Sequence, residues 1–150
     1  MNILDVAKTE IGYVEGANNA NKYSAALKLP NESWCADFVT YCAVEAGQSK
    51  AVLHSPSCIA WEKWAIAHNL CVPVESLRAN DIVLFDFNGS KTSQHIGIVE
   101  SYNPKTKTAI TIEGNTSPSG AGSQANGDGV YRKTRPAKFI RAAIRPKWSA

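Results

Sequence analysis

A chain of 150 residues, 44% apolar and 19% charged, has the size and composition of one globular domain with a full core. Its 16 basic and 13 acidic residues leave a net charge of +3 and a pI near 8.7; with no run of five like charges, that excess is too small for an electrostatic nucleic-acid footprint. No apolar run approaches the roughly 18 residues of a membrane span, and Met1–Lys8 lacks a basic region followed by an apolar core, so no secretory signal is expected.

Ile3, Leu4, Ala7 and Ile11 fall at helical spacing, and Gly12 stops the pattern. The stretch from Gly12 to Asn19 reads as a loop, and a second helix is expected from about Asn19 to Leu27 before Leu29-Pro30-Asn31 breaks it. The spacing predicts a third helix from Trp34 to about Ala46, with Phe38, Val39, Cys42, Ala43 and Ala46 as its buried stripe, Ser33 as N-cap and Gly47 as the residue that ends it. A fourth is expected from Cys58 to His68, burying a face of Trp61, Trp64, Ala65 and His68.

After Pro73 the pattern turns to strands. Ile82–Phe85 is a continuous apolar run suited to a central strand. His95–Tyr102 and Thr108–Glu113 follow, joined through Asn103-Pro104-Lys105. A Gly/Ser/Asn-rich loop is expected from Gly114 to Gly129. Val130–Lys133 and Phe139–Ile144 complete the set, with Arg135-Pro136 as the break between them. Helices first and consecutive strands after, on short connections, define an α+β domain with an antiparallel sheet of about five to six strands.

Four cysteines are present: Cys35, Cys42, Cys58 and Cys71. None forms a CxxC pair, which argues against a zinc or thioredoxin-like motif. Cys35 and Cys42, seven apart on one helix, are separated by about 10 Å, too far for a disulfide; a Cys58–Cys71 pair is geometrically open but disfavoured in a reducing cytosol.

Cys35 stands apart because it falls in the first turn of its helix, where free N–H groups and the helix dipole favour a thiolate. A thiol nucleophile needs a base and an orienting group. His95 opens a strand directly after a Gly/Ser/Thr loop, a firm mount for a base, and Gly97 on the same face leaves room for a close approach. Glu113 and Asn115, two apart at the end of the next strand, both leave the same face if the strand persists, and either side chain can accept from an imidazole N–H. Trp34 has two readings: it lines a substrate groove, or it staples the helix start.

These segments together resemble the CHAP domain, a cysteine, histidine-dependent amidohydrolase/peptidase of the papain-like group. Trp34-Cys35-Ala36-Asp37-Phe38-Val39 is similar to the family's nucleophile motif, Asn80-Asp81-Ile82-Val83 to its Gly-Asp-Ile-Val strand, His95-Ile96-Gly97-Ile98-Val99 to its His-x-Gly-x-Val motif, and Glu113-Gly114-Asn115 to its Glu-Gly-Asn segment. The flanks, Glu15–Asn19 and Asp128–Arg132, resemble versions carried by phage endolysins.

The resemblance implies a papain-like (NlpC/P60-type) fold over residues 1–150 as a single catalytic domain without a wall-binding module. It implies Cys35 as nucleophile, His95 as general base, and Glu113 and Asn115 as orienting and polarising partners; Trp34 joins them as a substrate contact on the first of its two readings. The substrate would be bacterial peptidoglycan, cut at an amide bond by a monomer that needs neither nucleic acid nor membrane. An endolysin would wait in the cytoplasm of the infected host until released to the wall. Asn80 replaces the family's usual Gly, and Asn is the next residue most tolerant of a left-handed backbone. Some relatives bind calcium through acidic residues upstream of the cysteine. No Asp or Glu lies between Glu15 and Glu32 here, so no metal and no cofactor are expected.

Overall fold

The computed structural model of the chain describes residues 1–118 and 123–149. Among these, four α-helices pack with a six-stranded antiparallel sheet, the α+β arrangement of a papain-like domain. The helices are α1 (Ile3–Glu10), α2 (Lys22–Ala26), α3 (Cys35–Glu45) and α4 (Cys58–Ala67). The strands are β1 (Cys71–Val72), β2 (Ile82–Phe85), β3 (His95–Asn103), β4 (Thr108–Thr116), β5 (Gly129–Pro136) and β6 (Ile140–Ile144), in the spatial order β1-β6-β2-β3-β4-β5.

The apolar residues divide between the two faces of the sheet. Ile82, Leu84, Ile96, Ile98 and Ile112 alternate along their strands toward α1 and α3, meeting Ile3, Ala7, Phe38, Val39 and Cys42. Val83, Phe85, Val99 and Ala109 point the other way, where Leu77 and Ile140 cover them in a smaller cluster. That β2 is buried on both faces explains its unbroken apolar run.

Two local features hold α1 and α3 in place. Asn2 and Asp5 close a reciprocal capping box on α1. Asn80 adopts a left-handed φ of 75° and its Oδ1 accepts from the Leu4 N–H at 3.1 Å, while its carbonyl accepts from Trp148 Nε1 at 3.1 Å. Where the family has glycine, this chain therefore keeps the required backbone and adds a side-chain tie from the sheet to α1. Around α3, Tyr23 packs against Tyr13, Trp34, Phe38 and Tyr41 with ring centroids 5.0–5.2 Å apart, a cluster that seats the start of the helix on α2 and the preceding loop.

Several expectations need correction. The second helix is one short turn and a half, because Asn21 rather than Asn19 caps it, accepting from the Tyr23 and Ser24 N–H groups. Ser33 does not cap α3: Trp34 holds that position without any side-chain cap, and Ser33 Oγ bonds Asn126 instead. The strand β1 was not foreseen; two residues at a sheet edge carry too little pattern to read. The expected loop from Gly114 to Gly129 is shorter, since β4 runs to Thr116; its residues 119–122 lie outside the described residues. Arg135-Pro136 does not break the chain before β6 but ends β5 itself.

Candidate active site

The thiol of Cys35 sits at the first residue of α3, almost buried at 5% exposure. The first intrahelical bond runs from the Phe38 N–H to the Trp34 carbonyl, which leaves the N–H groups of Cys35, Ala36 and Asp37 without intrahelical acceptors. No side chain caps them, and the Ala36 N–H donates to the sulfur. A second thiol, Cys58, lies 3.7 Å from the first. Cys58 is itself the first residue of α4.

The acidity of Cys35 is raised far above that of an ordinary thiol, its pKa lying well below 9. The largest cause is the hydrogen bond from Cys58, followed, against the cost of burial, by the hydrogen bond and charge of His95. Cys58 moves the opposite way, because it would have to ionise beside the Cys35 thiolate in a buried site. The pair therefore carries one negative charge, on Cys35.

His95 is fully buried at the head of β3, its ring stacked on Phe85 at 6.0 Å and beside Phe87 at 6.1 Å. Its Nε2–H donates to Glu113 Oε1 at 2.9 Å. The other nitrogen, Nδ1, is buried and makes no hydrogen bond of ordinary geometry; the ring also interacts with the Cys35 thiol. Burial alone would depress the imidazole, but the Cys35 sulfur and the Glu113 carboxylate outweigh it and raise the pKa to about 9. The lowered thiol and the raised imidazole together favour a thiolate–imidazolium pair as the resting form.

Glu113 is the hub behind the imidazole. Burial would raise its pKa, yet Arg135 and His95 hold it down at about 2. Arg135 grips it with two prongs, Nε to Oε2 at 2.9 Å and the terminal Nη2 to Oε1, and Thr111 Oγ1 donates to Oε2. The Arg135 guanidinium lies over Phe87 at 4.7 Å and Phe85 at 5.3 Å, so the same aromatic pair floors both cations. Gly97 makes room for this: a Cβ there would stand 2.8 Å from Glu113 Cγ.

Of the sequence-derived candidates, Cys35, His95 and Glu113 come together. Asn115 does not join them. The strand persists through 115, but a bulge between Glu113 and Thr116 and a left-handed φ of 55° at Asn115 break the alternation. Its amide instead donates to Ser33 Oγ and Asn126 Oδ1, both at 3.0 Å. Trp34 is not a substrate contact: it is fully buried, stacked on Tyr23, with Nε1 donating to Glu15 Oε1 at 2.9 Å. It staples the helix start, the other of its two readings.

Three residues escaped sequence reasoning. Arg135 and Lys133, basic residues of β5, are both buried, Lys133 donating to the Ser117 carbonyl at 2.6 Å. Cys58 escaped because its neighbour is 23 residues away; the available signal was that Ser57-Cys58 and Ser33-Trp34-Cys35 each place a cysteine at a predicted helix start. All four cysteines are free, and the partner of Cys58 is Cys35 rather than Cys71. Among the described residues no group of three His, Cys, Asp or Glu side chains gathers to hold a metal, and no helix is long and apolar enough to cross a membrane. A cavity of about 630 Å³ lies at the far end of α4 beside Trp64 and His68, away from the thiol; a 420 Å³ groove lined by Phe87, Gln94 and Arg135 flanks the imidazole side.

A thiolate at a helix start, an imidazolium on a strand and a buried carboxylate behind it, on an α+β fold, define a papain-like cysteine hydrolase class. The CHAP domain family matches residues 28–115, more than half of the chain, and the chain belongs to that family of cysteine/histidine-dependent amidohydrolases and peptidases. Comparison with curated proteins and with solved structures gave no match.

Proposed function

We propose that this protein hydrolyses an amide bond of bacterial peptidoglycan, as an amidase or a peptide endopeptidase of the endolysin type. The observation that supports it most directly is the buried series Cys35–His95–Glu113–Arg135 in a chain of the CHAP family. Each member has a role set by its surroundings. The Cys35 thiolate attacks the carbonyl carbon, and the developing oxyanion is drawn to the free N–H of Cys35 itself. The His95 imidazolium then gives its proton to the departing amine, leaving a thioester on Cys35. Neutral His95 next takes a proton from water, whose oxygen attacks the thioester, releasing a carboxylic acid and restoring the thiolate. Glu113 touches neither substrate nor sulfur; it fixes the imidazole tautomer so that Nδ1 faces the reaction.

The groove beside Phe87, Gln94 and Arg135 is the natural berth for a peptide stem, since it borders the strand that carries His95. The protein acts as a monomer, held in the cytoplasm of the infected host until released to the wall.

Clearing of purified cell walls by Cys35→Ala tests the reading. Activity should be lost while the circular dichroism spectrum is kept; walls cleared as fast as by the unaltered protein would end it. Mass spectrometry of digested walls, locating the new amino terminus, assigns the bond.

A further inference from the structure

Cys58 has no task in the hydrolysis just described that another small donor could not perform, yet its sulfur stands 3.7 Å from the nucleophile. The two thiols occupy equivalent places, each at the first residue of a helix, so the starts of α3 and α4 converge on one spot. Both cysteines are nearly enclosed, at 5% and 8% exposure. α4 is held to the strands that frame the site: Glu62, one turn along from Cys58, accepts from Ser93 Oγ, two residues before His95, and from Arg141 Nε of β6 at 2.9 and 3.1 Å. The approach of the two thiols is thus built into the packing of an anchored helix.

We propose that Cys35 and Cys58 are a reversible modification site, closing under hydrogen peroxide into a disulfide that caps the nucleophile. The consequence for activity rests on the hydrolase reading; the bond itself does not. The Cys35 thiolate attacks the peroxide oxygen and becomes a sulfenic acid, the second oxygen leaving as hydroxide and taking up a proton as water. The Cys58 sulfur then attacks the Cys35 sulfur, displacing the sulfenic hydroxyl as a second water. In sum two thiols lose their hydrogens to one hydrogen peroxide, giving one disulfide and two waters. Closing the gap requires the sulfurs to move together by roughly 1.7 Å, a side-chain rotation, since bonded sulfurs lie about 2.05 Å apart. Opening the bond with a dithiol restores both thiols. Without a resolving thiol a sulfenic acid proceeds to sulfinic acid, which a dithiol does not reverse. Cys58 therefore converts a lethal oxidation of the nucleophile into a recoverable one.

Hydrogen peroxide on the full chain, followed by alkylation and non-reducing peptide mapping, tests this directly. The expected map links the Cys35 and Cys58 peptides and leaves Cys42 and Cys71 alkylated. Wall clearing should be lost on oxidation and return with dithiothreitol. In Cys58→Ala and Cys58→Ser, checked for folding by circular dichroism, the same treatment should add oxygen to Cys35, and dithiothreitol should restore little of each variant's own starting activity. Cys35 and Cys58 both alkylated after peroxide, or variants that recover as fully as the unaltered protein, would overturn the proposal. A linked pair in a protein whose reduced form never clears walls would leave the modification standing and refute the hydrolase reading instead.

Discussion

Cys35 and Cys42 lie two turns apart on one helix and have opposite acid strengths. Cys42 is enclosed by apolar neighbours, and burial pushes its thiol well above the usual range. Cys35 is as deeply set but meets donors: Cys58, His95 and the Ala36 N–H. Burial alone makes an inert thiol; burial with three donors makes a nucleophile. One of these donors, His95, depends in turn on Arg135, which sets the charge of Glu113 and through it the orientation of the imidazole. Replacing Arg135 by Met would leave a buried carboxylate short of two donors. The expected cost is about 3 kcal/mol, in the range for breaking a buried ion pair from one side. Urea unfolding measures it as a lowered midpoint, and Arg135→Lys, which keeps charge but not the two-pronged grip, should fall between. A midpoint unmoved by Arg135→Met would mean that Glu113 is held by Thr111 and His95 alone.

At the scale of elements, the site is a junction between the end of β4 and the start of α3. Gly114 marks the contact. A Cβ there would stand 2.6 Å from Phe38 Cβ and 2.8 Å from Trp34 Cζ3. Gly114→Ala must therefore push α3 away from the strand or tilt Trp34 out of its stack on Tyr23. Overpacking of this kind costs about 1–3 kcal/mol. Because the displaced turn carries Cys35, wall clearing should fall further than the loss of folded protein accounts for; clearing per folded molecule equal to that of the unaltered protein would show that the junction has slack. The same junction separates what could be read in the chain from what could not. Cys35 and His95 each begin a regular element and Glu113 is the last residue of β4 before its bulge, and local pattern is enough to place such residues. Asn115 was misplaced because strand alternation presumes an extended backbone, and one left-handed residue in a bulge redirects its side chain to Ser33 and Asn126. Trp34 reads equally as groove or core until Tyr23, eleven residues earlier, is folded beneath it. Arg135 and Cys58 are joined to the site only by pairing across β4–β5 and by the entry of α4, long-range facts that no window of sequence contains.

For the molecule as a whole, these buried charges tie folding and activity to pH in opposite directions at the two ends of the scale. Glu113 is depressed from 4.5 to about 2 in the fold. A lowered carboxylate contributes stability that is complete above its unfolded value and lost as pH falls through the folded one, so the contribution drains between about pH 4.5 and 2. Its size is on the order of 3 kcal/mol, a large part of a domain's total stability. His95 is raised from 6.5 to about 9. Its contribution is complete below 6.5 and lost as pH climbs through 9. The catalytic pair follows the same constants: the imidazolium proton needed by the leaving amine disappears near pH 9, while Cys58, His95 and the Ala36 N–H hold the Cys35 thiol well below its ordinary value. Single-turnover clearing measured from pH 4 to 10 should therefore hold across neutrality and fall on a limb near 9, with the melting temperature dropping steeply below pH 4.5. Replacing Glu113 by Gln should shift the alkaline limb to lower pH, since the carboxylate that helps keep the imidazole protonated is gone. An alkaline limb that stays in place in that variant would show that Cys35, not Glu113, supplies the field that His95 feels.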